Sequence, residues 1–330
     1  MKTKASFSAP LFALILYAML FASGFVKERL IGAGGNVFLS VIILQILIFI
    51  LPAIIFCRMK GVGYAVKLNI KLFSPGKLGC VIMSALVLIC GSVLIRFAQI
   101  YLFGMREFSF SLFDSYLDAG ASGEFLFTAT AFAVVPALTE EFVYRTILLT
   151  EYNEAGFGAV TATLVTSLLS SMMCFNLETL PIRLIAAVMF CIVTYVTGSS
   201  IGAFLSHIIF NIYGVFGEKY ILKAIVDPSN KIISIFTFTM LFLVMAVILF
   251  GEFEHILRRA GQSGTPTPSY RLKKAEDGKT PDVAATEAAE DSTPSAAVSE
   301  STRLGIEAFF SPTLLLCILA FVVAIFGFNR

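Results

Sequence analysis

Five polar side chains sit where an apolar chain should carry none. The run Pro136-Ala-Leu-Thr-Glu140-Glu141-Phe-Val-Tyr144-Arg145 interrupts one hydrophobic stretch, and Ser206-His207-Ile-Ile-Phe-Asn211 interrupts another. Ionisable groups are costly in hydrocarbon and are kept where they face a polar interior. On a helix Glu141 and Arg145 are four residues apart and share a face, whereas Glu140 lies about 100° round and shares its face with Tyr144. That geometry divides the labour: one carboxylate is neutralised by the guanidinium, and the other is left to accept a proton, as a general base must. His207 and Asn211, also four apart, present an imidazole and an amide on one face, a donor pair suited to a developing oxyanion. Taken singly, each set is also what interhelical glue looks like, a Glu/Arg pair or a His/Asn contact between helices. Both in one chain point to a site.

The elements that must carry these groups are membrane helices. The 330 residues are 58% hydrophobic and 14% charged, with a mean hydropathy of +0.88, whereas a soluble domain carries about 25% charged and about 45–50% apolar residues. Surface-to-volume scaling leaves no way to hide so much apolar area in one water-soluble core. Apolar runs near 9–26, 37–57, 79–103, 125–149, 158–176, 180–197, 200–217, 232–250 and 308–328 are too long and too non-alternating for barrel strands. The expected fold is therefore all-α: a polytopic bundle of about eight core helices plus a tethered ninth, embedded in membrane lipid. Zero tryptophans leave any interfacial belt to the 33 Phe and ten Tyr. The six cysteines form no CxxC pair, so neither a disulfide framework nor a thiolate metal site is signalled. A net charge of +2 with no basic stripe argues against nucleic acid.

Lys and Arg orient the set. Arg58, Lys60, Lys67, Lys71 and Lys77 lie between spans two and three, and Arg258 and Arg259 open a second basic segment after span eight. The segment between spans three and four is acidic, with Glu107, Asp114, Asp118 and Glu124. The positive-inside rule then places the N-terminus in the cytoplasm, of a plasma-membrane protein by expectation. Arg96, within span three, either pairs with a pocket carboxylate or snorkels, with snorkelling the favoured reading. Residues 1–250 form the transmembrane domain. Residues 251–307, rich in Pro, Ser, Thr and mixed charge, are expected to be a disordered cytoplasmic linker, and 308–330 the last helix.

Glu140-Glu141-Phe-Val-Tyr-Arg145 resembles the EExxxR motif of the CPBP intramembrane proteases, which include CAAX prenyl endopeptidases and bacteriocin-processing proteins. His207-Ile-Ile-Phe-Asn211 resembles that family's HxxxN motif, and the Thr197-Gly198-Ser199 turn is similar as well. The resemblance covers about 125–217. It implies a hydrolase cutting peptides, lipidated or membrane-proximal, at the cytoplasmic side of the membrane. Glu140 would activate water, Glu141 and Arg145 would support it, and His207 and Asn211 would hold the carbonyl oxygen.

The family's FxxxH motif is where the chain departs. Its register falls on Ser170-Ser-Met-Met-Cys174, so Cys174 stands where the second histidine is expected. Tyr144 and Cys174 are expected to border the substrate. A thiol in apolar surroundings stays neutral and packs as a small residue. A divalent metal, which the metalloendopeptidase-like reading of the family would need, loses a ligand, since Glu140 and His207 fall short of the usual three. Two readings therefore stand: a glutamate-dependent endopeptidase, or a family member without catalysis that binds a peptide or partner protein. A solute transporter is the third class, but the halves show no broken-helix repeat.

Overall fold

A computed structural model describes residues 2–32, 36–61, 68, 70–104, 125–227, 229–262 and 305–328. Among the described residues nine main helices follow one another, with a further short helical stretch at 305–309: α1 (Lys2–Gly32), α2 (Val37–Lys60), α3 (Pro75–Phe103), α4 (Phe125–Glu154), α5 (Ala159–Met172), α6 (Leu180–Thr197), α7 (Ser200–Val226), α8 (Lys231–Gln262) and α9 (Pro312–Phe328). The described residues contain no strand, and the fold is an all-α polytopic bundle. Seven of the nine are long and apolar enough to cross a membrane, while α5 and α9 are shorter apolar helices. At about 1.5 Å per residue, the 14 residues of α5 reach about 21 Å, less than the roughly 30 Å of a hydrocarbon core. Helix α8 runs through to Gln262. The bulk of the expected linker, 263–304, and the acidic segment 105–124 lie outside the described residues.

Direct contacts identify two ends of the bundle. At one end Lys60 pairs with Glu151, and Ser8 Oγ donates to the same carboxylate at 3.2 Å. Tyr195 Oη donates to Asn153 Oδ1 at 3.1 Å, and Lys77 Nζ donates to the carbonyls of Val196 and Thr197 at 3.0 and 3.1 Å. That lysine caps the C-terminus of α6, whose last carbonyls have no intrahelical partner. At the opposite end Tyr101 Oη donates to Ile225 O at 2.8 Å, the Lys231 ammonium lies 3.7 Å from the centroid of the Tyr101 ring, and Gln99 Nε2 donates to Glu178 O at 2.5 Å.

The α6–α7 corner is built from three adjacent residues. Gly198 takes φ +72°, where a side chain is disfavoured. Ser199 then caps α7 by accepting the Ile201 N–H at 3.1 Å. Thr197 Oγ1 is held by Val193 O at 2.6 Å and accepts the Ser199 N–H at 3.3 Å, so it cannot yield. A Cβ on Gly202 would meet it at 2.8 Å.

The last helix docks on the first. Pro10, inside α1, lacks the N–H that would engage the carbonyl of Ser6, four residues back. Thr313 Oγ1 supplies that donor at 3.2 Å, and Cys317 Sγ donates to Pro10 O at 3.2 Å. The largest core cluster joins α1, α2, α4, α5 and α9, with Tyr17, Phe49, Ile147, Tyr152, Leu169 and Cys317 all buried.

Gly202→Ala should destabilise the corner by about 1–3 kcal/mol through overpacking, read as a lower thermal unfolding midpoint in detergent; an unchanged midpoint refutes the packing argument. Thr313→Val should cost about 0.5–1.5 kcal/mol by removing one hydrogen bond to the Ser6 carbonyl, whereas Thr313→Ser retains the donor and the midpoint.

Candidate intramembrane active site

The groups that the sequence singled out converge. Helix α4 is not uniform: π-helical turns over Thr130–Val134 and Phe142–Leu148 flank the α-helical turn that carries Glu140 and Glu141. Such wide turns recur at functional sites because they redirect side chains without breaking the helix. Glu141 is fully buried, and its Oε1 accepts from Arg145 Nη1 at 2.9 Å and lies 2.8 Å from His207 Nδ1. Arg145 in turn donates to Ser170 Oγ of α5 at 3.2 Å and to Ala187 O of α6 at 3.0 Å. The carboxylate thus ties α4 to α7, and its arginine ties both to α5 and α6.

His207 is held on its other side as well. Its ring stacks on Phe190 with centroids 4.6 Å apart, and the Arg145 guanidinium lies 5.4 Å from the centroid of the same phenyl ring. With Nδ1–H engaged by a carboxylate, the imidazole keeps Nε2 for whatever enters the site. Asn211 Nδ2 spends one hydrogen on Ala133 O at 3.3 Å, which leaves a second amide hydrogen.

Glu140, Glu141, Arg145, His207 and Asn211 all line one cavity of about 450 Å³ of empty space. Among the described residues Glu140 makes no hydrogen bond, although it is buried, and it shares the cavity wall with His207, Arg183 and Arg145. Glu141 is the anchored carboxylate and Glu140 the available one, the arrangement that the helical spacing predicts.

Two expected site residues do not line this cavity. Tyr144 is buried with its hydroxyl 3.6 Å from Met173 Sδ, within the core cluster shared with α1, α5 and α9. Cys174 lies just past the end of α5, where its Sγ donates to Ser171 O at 3.0 Å and accepts from Thr179 Oγ1 at 3.4 Å. Ser170, one turn earlier, is the α5 residue that reaches the cavity.

Two arginines join the wall that the motifs do not contain. Arg96 does not snorkel: it is 1% exposed, its Nε pairs with Glu218 Oε1 at 2.9 Å, and it lines the cavity. Arg183, in the first turn of α6 behind Pro181, also lines it. The available signal for Arg183 was its presence as the sole charge in an apolar span. Among the described residues no three His, Cys, Asp or Glu side chains are grouped so as to hold a metal ion. Glu140 and His207 Nε2 alone fall short of the usual three protein ligands, so the donor set does not fit a metal.

Residues 122–213 match the family model described as Type II CAAX prenyl endopeptidase Rce1-like. No curated protein and no solved structure matches the chain.

Arg145→Leu should strand the Glu141 carboxylate in the bundle interior, at about 3–5 kcal/mol, seen as loss of monodisperse protein after extraction. The double variant Glu141→Leu with Arg145→Leu should recover much of it; equal loss in both would show that Arg145 acts through Ser170 and Ala187 and not through the Glu141 charge.

Proposed function

We propose, from the match of residues 122–213 to the CAAX prenyl endopeptidase family model and from the geometry of the cavity, that this membrane protein is a glutamate-dependent endopeptidase acting on membrane-proximal or lipidated peptides. One observation carries the reading. Of two adjacent carboxylates on the cavity wall, Glu141 is held by Arg145 and His207 while Glu140 has no hydrogen bond among the described residues. A base must be able to take a proton, and Glu140 is the group left to do so.

Glu140 accepts a proton from water as the oxygen attacks the peptide carbonyl carbon. The carbonyl oxygen becomes an oxyanion, met by Nε2–H of the His207 imidazolium and by the second amide hydrogen of Asn211. Glu141 holds the His207 ring through Nδ1, and Arg145 holds Glu141 in place. Collapse of the tetrahedral species breaks the C–N bond, and Glu140 returns its proton to the leaving amine. Water, base and donors are then all accounted for by residues of the cavity.

A second reading is a binder without catalysis, and Cys174 favours it: the second-motif position holds a thiol engaged with its own loop rather than an imidazole at the cavity.

Cleavage of lipidated and membrane-proximal peptides by the purified chain decides between them. Glu140→Gln should lower the rate by about 10²–10⁴-fold with little change in thermal stability. Peptide binding without cleavage in the parent, with cleavage appearing in Cys174→His, would support the binder instead.

A further inference from the structure

The two ends of the bundle differ in charge, and the cavity belongs to only one of them. Contacts assign the first end to Ser8, Lys60, Lys77, Glu151 and the Thr197–Ser199 corner. They assign the second to Tyr101, Glu178, Ile225 and Lys231. Chain segments that join helices at the first end, the N-terminus included, carry fourteen of the 24 Lys and Arg, and those at the second carry seven. In sequence, the segment between α3 and α4 carries Glu107, Asp114, Asp118 and Glu124. Lys/Arg bias sets orientation, so the first end faces the cytoplasm.

Exposure along the cavity runs the other way. Its floor is sealed: Glu141, Arg145 and Phe190 are 0–2% exposed. Arg183 and Asn211 are its half-buried members, and Arg183 and Thr179 follow directly on Glu178 at the second end. Along α6, Arg183 stands fourteen residues, or about 21 Å, from Thr197 at the cytoplasmic end. The cause is the brevity of α5. After its 14 residues the α5–α6 loop, with Phe175 at φ +46° and Asn176 Oδ1 capping the Glu178 and Thr179 N–H groups at 2.7 and 3.1 Å, turns back inside the bundle. The cavity wall of Thr179, Ile182 and Arg183 follows that loop, leaving a recess beside it.

We infer that the cavity is entered from the extracytoplasmic face of the membrane, so that its ligand is a peptide segment presented on that face. This reverses the side expected from the sequence resemblance. The choice of substrate rests on the peptidase reading; the sidedness rests on contacts and charge alone.

Thiol labelling in sealed vesicles of both orientations tests it, in a background with the half-buried Cys57 and Cys174 replaced by Ala. Leu177→Cys on the α5–α6 loop and Leu72→Cys at the other end alter residues 54% and 88% exposed. A membrane-impermeant maleimide should modify Leu177→Cys only in right-side-out vesicles and Leu72→Cys only in inside-out ones. Ser170→Cys, within the cavity, should react with a small charged methanethiosulfonate from the Leu177 side at least tenfold faster than from the Leu72 side. The reverse pattern, labelling of both loops from one side, or a cavity thiol reached from the Leu72 side or from neither overturns the inference. Because labelling does not depend on turnover, a chain that labels as stated but cleaves nothing refutes the peptidase and leaves the sidedness standing.

Discussion

One buried carboxylate oxygen organises the site. Glu141 Oε1 is shared by a guanidinium on its own helix and an imidazole on α7, and no water of the bulk reaches it. Removing a charge from water costs several kcal/mol, recovered only when its partners are close and well aligned. The helices that bring those partners are therefore not free to slide. Arg145 extends the constraint to α5 and α6 through Ser170 and Ala187. Four helices are thus referenced to a single atom, while the neighbouring Glu140 makes no hydrogen bond among the described residues.

The same economy of polar partners holds the rest of the bundle. In hydrocarbon every backbone group must be satisfied within the protein. The carbonyl freed by Pro10 is met from the last helix, and the C-terminal carbonyls of α6 are met by Lys77. These contacts secure the end of the molecule that is closed. At the other end α5 stops short, the loop after it is capped by Asn176, and the recess that results gives Glu140 and His207 their access. The buried Arg96–Glu218 pair stiffens the wall of that recess, a role that a snorkelling arginine would not have.

Much was legible along the chain, and for identifiable reasons. Helical membrane spans follow from apolar run length, since only helices satisfy their own backbone over such stretches. Glu141–Arg145 and His207–Asn211 were readable because a four-residue spacing is a statement about one face of one helix. Tyr144 obeys the same spacing and is nevertheless off the cavity, because its ring is taken up by the core cluster against Met173, a contact between helices that spacing along one helix does not encode. Cys174 was placed by motif register, but register counts residues and not where a helix ends; α5 ends at Met172, which hands the cavity to Ser170.

The amino-acid sequence alone determined the all-α membrane architecture, the family resemblance and the pairing of groups within single helices, since each depends on composition or on contacts a few residues apart. Tertiary structure alone decided which carboxylate is anchored, that Arg96 and Arg183 join the wall, and which end of the bundle the cavity belongs to. Those outcomes depend on groups from 66 to 122 residues apart, as Glu141 meets His207 and Arg96 meets Glu218. Such distances are set by how helices of unequal length pack, and no local periodicity encodes them.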